Sequence, residues 1–125
     1  MTEKTPDEMC QDDPFDREYL RKNYLELGCG DVLQDVFRIF QESSLVKLEW
    51  LRKALDAGVQ QELLTIAHGM KGESGSVGGR HVSALASAME QSARAGNIME
   101  VRRLFPDLEH ELGRLLTAIA RELGE

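Results

Sequence analysis

Between Leu33 and Leu55, core-type residues recur at gaps of 4, 3, 4, 4, 3 and 4: Leu33, Phe37, Phe40, Ser44, Leu48, Leu51 and Leu55. That rhythm follows the 3.6-residue turn of an α-helix and gathers the side chains on one stripe, interrupted only by the Ser44 hydroxyl. A half-buried strand would alternate with period two. No run of β-branched or aromatic residues with that period occurs in the chain. Proline stands only at 6, 14 and 106, so few positions forbid a helix. The chain reads as all-α.

Turn residues divide it further. Asp13-Pro14 is expected to cap a short helix and occupy its first turn, with the helix running to about Leu27 before Gly28-Cys29-Gly30. Asp31, with Gln34 three residues on, is the expected N-cap of the long helix that follows, and Gly58 ends it. A third helix is expected from near Val59 to the Gly78-Gly79 pair. A fourth carries Val82, Leu85, Ala86, Met89 and Ala93 and stops at Gly96. Asn97 caps a fifth, again with an acid, Glu100, at the third position. Its stripe is Ile98, Val101, Phe105, Leu108, Leu112, Leu115 and Ile119, and Pro106 is expected to kink or split it. Four long amphipathic helices joined by short turns make an antiparallel up-down four-helix bundle. The N-terminal helix is an additional short one.

Composition sets the class. A chain of 125 residues, 42% hydrophobic and 30% charged, is one globular domain and not a disordered one. No apolar run reaches the roughly 20 residues of a membrane span. The opening MTEKTPDEMCQDD is polar and has no apolar core of a secretory signal, so a cytoplasmic location is expected. Residues 1–16 hold six acids and one base, leaving the rest of the net charge of -7 close to balance. Residues 1–13 read as a flexible acidic tail or linker and 14–125 as the folded domain. No basic stripe suits nucleic acid. Cys10 and Cys29 are too few and too isolated for a disulfide framework or a zinc site, and are expected as reduced thiols.

The third helix departs from this economy. With Leu63 at zero and about 100° per residue, Leu63, Ile66, Ala67, Met70, Ser74 and Val77 fall within about 60° of one direction, the core face. His68 lies at about 140°, Lys71 at about 80°, Gly75 at about 120° and Gly72 at about 180°. An outward imidazole therefore has a cation one turn on and two glycines beside it. Gly69, Gly72 and Gly75 each cost a continuous helix about 0.8–1 kcal/mol relative to alanine. Gly72 and Gly75 would let a partner approach the ring closely, whereas Gly69, at about 240°, has no such account. The plainer reading is a glycine-rich helix end with an ordinary surface histidine.

Histidine is a nucleophile that can carry a covalent intermediate, and a neutral ring nitrogen is available near neutral pH. A phosphoryl group arriving there brings negative charge, and Lys71 at i+3 is placed to balance it. Metal chemistry fits less well, because His81 and His110 lie on other expected helices and no ligand type stands at i+4 from His68. No Ser-His-Asp arrangement is legible, although Ser74 and Ser76 are near in sequence.

The run Ala67-His68-Gly69-Met70-Lys71-Gly72-Glu73-Ser74-Gly75-Ser76-Val77-Gly78 resembles the signature of histidine-containing phosphotransfer (HPt) domains, the shuttles of multistep two-component phosphorelays. That pattern is His, any residue, Leu or Met, Lys, Gly, any residue, Ser, Gly or Ala, any residue, an apolar residue and Gly. Leu85, Met89-Glu90 and Ala93 to Asn97 resemble the family's next helix and turn. With Phe15-Asp16 and the Phe37 to Phe40 stretch, the likeness covers roughly residues 14 to 123.

The resemblance implies a four-helix bundle with an exposed phosphoacceptor midway along one helix. His68 would be that acceptor, Lys71 would balance the phosphoryl charge, and Gly72 and, less strictly, Gly75 would give the partner room. By spacing, Glu90 and Arg94 would be the polar and basic residues that family members often place near the imidazole; they also read as solvated charges on a helix face. Glu73 replaces the family's usual small hydroxyl residue and, at about 280°, points away from His68. His81 and His110 read as surface residues.

The mechanism implied is transfer from an aspartyl-phosphate of a receiver domain to His68, then on to a second receiver. The partners would be the receivers of a hybrid sensor histidine kinase and of a response regulator. Mg²⁺ would belong to the receiver, with no cofactor or metal on this chain. The domain would be a phosphocarrier more than an enzyme, a monomer without membrane contact. No glycine-rich ATP site such as a Walker A run is present. The alternative is an adaptor of the same fold that regulates a partner by binding alone.

Overall fold

The structure is a computed structural model that describes residues 12–125. Helix α1 is short, Arg17–Leu20, and continues into a π-helical turn, Arg21–Leu25. Four long helices follow: α2 Gly30–Ala57, α3 Gln60–Ser76, α4 Arg80–Arg94 and α5 Ile98–Glu122. Helix α2 packs on α3 and α5, and α4 packs on the same two, closing a four-helix ring. The architecture is the all-α bundle with an extra N-terminal helix that periodicity requires.

The stripes hold. Every position of the Leu33 to Leu55 series is buried, Ser44 included. Leu63, Ala67, Met70, Ser74 and Val77 are buried, while Ile66 and Leu85 are only half-buried. Asn97 caps α5 by accepting from the Glu100 amide at 3.2 Å. Gly58 ends α2 in the left-handed conformation, at φ 66°.

The helix starts differ in two places. Asp16, not Asp13, caps α1 by accepting from the Tyr19 amide at 3.1 Å. Asp13 instead accepts from the Phe15 amide at 3.0 Å, a turn that leaves Pro14 ahead of the helix. Cys29 takes the N-cap position of α2 without a side-chain hydrogen bond, and Asp31 sits inside the first turn. There its charge still favours the positive end of the helix dipole.

Pro106 does not split α5, which runs unbroken through it. The proline and Arg102, whose carbonyl loses its donor, are both exposed to water. Leu104, Phe105 and Leu108 meanwhile hold both sides of the break in the core.

Residues 1–11, with Cys10 and most of the expected acidic tail, lie outside the described residues. The last two residues of that expected tail are attached to the bundle. Arg114 donates to the Asp12 carbonyl, and Arg80 Nε donates to the Asp13 carbonyl at 3.0 Å.

The corner between α3 and α4 fixes how the N-terminal segment docks. Phe15 forms an antiparallel bridge with Gly79, and the Asp16 amide donates to the Gly78 carbonyl at 2.7 Å. Gly78 has φ 69°, and a Cβ there would stand 2.9 Å from Leu20 Cγ. A Cβ on Gly79 would stand 2.5 Å from Leu115 Cδ2 and 3.2 Å from the Ser74 carbonyl. Both residues are glycine because α1 and α5 close onto that corner.

Candidate functional site

Helix α3 presents the imidazole of His68 outward, with 71% of its side chain exposed. Its Nδ1 lies 3.2 Å from both carboxylate oxygens of Glu90 on α4. A carboxylate only accepts, so the ring proton sits on Nδ1 and Nε2 keeps its lone pair. Nε2 has no hydrogen bond to a described residue. Met89 and Ala93 are buried without remainder, and that packing holds the α4 face from which Glu90 reaches α3.

Glu90 itself is 7% exposed. A buried carboxylate is tolerated when it is paired and hydrogen-bonded, and here three groups do this. Besides His68, Lys71 Nζ stands 3.7 Å from one oxygen and Arg94 Nη2 is 3.2 Å from the other. The hydrogen bond from His68 above all, with the charges of Lys71 and His68 and the bond from Arg94, holds the Glu90 carboxyl below its ordinary value against the opposing effect of burial. The family resemblance implied Glu90 and Arg94 near the ring; the solvated-charge reading fits Arg94's exposure but not Glu90.

The glycines of α3 are not imposed by packing. A Cβ on Gly72 or Gly69 would meet nothing within 4 Å, and one on Gly75 would only touch Ser83 Oγ at 3.8 Å. Alanine would fit at all three and would strengthen the helix. Gly72 is exposed and lies one helical turn from His68. Nothing in the structure explains Gly69.

Glu73 pairs with Lys47 of α2, away from His68. His81 and His110 line one groove between α4 and α5, together with Asp107 and Glu111. Among the described residues no group of three or more His, Cys, Asp or Glu side chains is placed to hold a metal ion. No helix there is long and apolar enough to cross a membrane.

One surface escaped the sequence reading. Beside its core stripe α2 carries a second series, Val32, Val36, Ile39, Ser43, Val46 and Trp50, at gaps of 4, 3, 4, 3 and 4. Val32, Ile39, Val46 and Trp50 are exposed. Val36, Ile39 and Ser43 line a groove whose far wall is Glu73 and Ser76 of α3. The signal was present in the spacing but lay behind the stronger core stripe of the same helix.

Comparison with known proteins agrees with this geometry. The Hpt domain family matches residues 35–119. The fold superposes on the crystal structure of histidine-containing phosphotransfer protein B (HptB) from Pseudomonas aeruginosa PAO1 with a TM-score of 0.82. The two are 26% identical, and the match covers 90% of this chain and 96% of that one. No curated protein matches the chain in sequence. With the family match spanning most of the chain and the bundle superposing nearly end to end, this protein belongs to the Hpt domain family.

Proposed function

We propose that the chain carries a phosphoryl group on Nε2 of His68 between receiver-domain aspartates of a two-component phosphorelay. The observation that carries this reading is the division of labour on one exposed ring: Nδ1 is committed to Glu90, and Nε2 is left as the nucleophile. In the accepting step the Nε2 lone pair attacks phosphorus in line, and the bond from phosphorus to the partner's aspartate oxygen breaks. The aspartate leaves as a carboxylate. Lys71 and Arg94 supply positive charge next to the incoming phosphoryl oxygens. The Mg²⁺ that offsets charge on the phosphoryl donor belongs to the receiver in this scheme.

The receiver would lie across Gly72 and onto the exposed α2 series. Apolar side chains there offer a continuous face, and Gly72 lets the partner's active site reach the ring. A partner covering Val36, Ile39 and Val46 would bury surface that the free bundle leaves in water.

The test is transfer itself. The protein is mixed with a labelled phosphorylated receiver domain, and label is followed on this chain beside the His68→Gln variant. Label that is acid-labile, alkali-stable and absent from the variant supports the reading. Binding of receivers by both proteins with no label on either favours an adaptor that acts by contact alone.

A further inference from the structure

We propose that Glu90 keeps phosphorylated His68 able to give its phosphoryl group away, by holding the proton on Nδ1 after Nε2 has been taken. This rests on the phosphocarrier reading and concerns its second half, the donating step.

The chemistry turns on the leaving group. Once Nε2 is bonded to phosphorus and Nδ1 still bears its proton, the ring carries a positive charge. In donation the Nε2–P bond breaks, its electron pair returns to Nε2, and the ring leaves as neutral imidazole with the proton still on Nδ1. The phosphoryl group passes to an aspartate oxygen of a receiver or to water. If Nδ1 has lost its proton, the same bond cleavage must expel an imidazolate anion, a far poorer leaving group. Donation therefore requires the Nδ1 proton at the pH where the carrier works.

The structure provides for that proton. Both Glu90 oxygens lie 3.2 Å from Nδ1, and the carboxylate is buried at the base of an exposed ring. After phosphorylation of Nε2, an anion at that distance favours the ring that keeps its Nδ1 proton, a cation, over the ring that has lost it. The charged groups facing the pair are Lys71 from α3 and Arg94 from α4. The α2 side offers the Lys47–Glu73 pair, which is turned away from the ring. Lys71 and Arg94 both oppose a cationic ring while they sit on Glu90. A phosphoryl group on Nε2 offers them a second anion one helical turn from Lys71, which frees the carboxylate for Nδ1. A neutral carboxamide at position 90 would still accept the hydrogen bond but would not hold the charge.

The experiment uses phosphoramidate, a small phosphoryl donor that needs no receiver, on the full chain and on Glu90→Gln. Attack by Nε2 on its phosphorus releases ammonia and leaves phosphorylated His68. Loss of the group to water is then followed by ³¹P NMR across a pH series. For the wild type, the rate is expected to fall off with rising pH at a higher midpoint than for Glu90→Gln, by about one to three pH units. Above the higher midpoint the variant's phosphorylated form should outlive the wild type's by about tenfold or more. A second readout needs no variant: the ³¹P shift of the wild-type phosphoprotein should titrate at higher pH than free Nε2-phosphohistidine in the same buffers. Coincident profiles for wild type and variant, or a wild-type titration matching the free amino acid, overturn the proposal and leave the carrier reading intact. Failure of His68 to accept label from either phosphoramidate or a phosphorylated receiver overturns both.

Discussion

His68 Nδ1 and the Glu90 carboxylate stand 3.2 Å apart although 22 residues separate them in the chain. Among the described residues, the contact joins α3 to α4 where the one buried charge meets an exposed ring. Glu90 also draws Lys71 and Arg94 to itself, so a single carboxylate orders the proposed transfer ring and the two cations beside it. The site is therefore part of the interhelical packing and not a loose surface feature.

That packing has a pH signature. The folded-state value of Glu90 is depressed below its ordinary 4.5, with the His68 hydrogen bond as the largest cause. A depressed acid contributes stability that is present above its unfolded value and is lost as pH falls through the folded one. Glu90→Gln should accordingly melt below the wild type at neutral pH, and the gap should narrow as the pH drops below 4.5. Thermal unfolding of both proteins across an acid series measures this. A gap that stays constant to the lowest pH would mean that Glu90's charge contributes nothing to the fold.

Gly72→Ala separates folding from function. The new methyl meets nothing within 4 Å, so helix propensity alone should raise stability by about 0.8–1 kcal/mol. The same methyl stands next to His68 on the partner's approach, and transfer from a phosphorylated receiver should slow. Chemical denaturation and transfer kinetics on one preparation read both effects. A variant that is stabilised with unchanged transfer would show that the glycine serves no approach.

Ser44→Ala tests the one polar break in the α2 core stripe. Its hydroxyl is buried and has no hydrogen-bond partner among the described residues, and a buried group left unsatisfied is expensive. Removing it should stabilise the bundle by about 1 kcal/mol. The midpoint of urea unfolding should rise with an unchanged slope.

The residues show why some of this was legible in sequence and some was not. Helix positions followed from apolar spacing because the bundle's core requires one stripe per helix; Leu33 to Leu55 and Val101 to Ile119 are buried as their periods demand, with Ile98 at the helix start only half-buried. Direction around α3 was legible for the same reason, which put His68 outside and Glu73 away from it; that Glu73 meets Lys47 of α2 came only from the packing. Caps were less so: Asp13, Asp16, Cys29 and Asp31 all stand near a helix start, and tertiary contacts choose among them. Arg80 binds the Asp13 carbonyl and the Asp16 amide bonds Gly78, neither of which local sequence reveals. Glu90's burial was hidden because a charged residue on a helix face usually faces water, and only the α3–α4 packing turns this one inward. The split expected at Pro106 does not occur because the rule against internal proline weighs one lost hydrogen bond, while buried Leu104, Phe105 and Leu108 outweigh it.

Ile39→Asp examines the second series on α2. Ile39 is 63% exposed, so a charge there should leave stability within about 0.5 kcal/mol of the wild type. It also stands in the groove that α2 forms with Glu73 and Ser76, where a docked receiver would cover it. An aspartate would have to be stripped of water or held apart from the partner, and either weakens docking. Transfer from a phosphorylated receiver at low concentration should fall by about tenfold or more, the scale of a lost interface anchor. Labelling by phosphoramidate, which needs only His68 and its surroundings, should be unchanged. Equal losses with both donors would place the defect at the ring and not at a docking face. No loss with either would mean that partners reach His68 without touching α2.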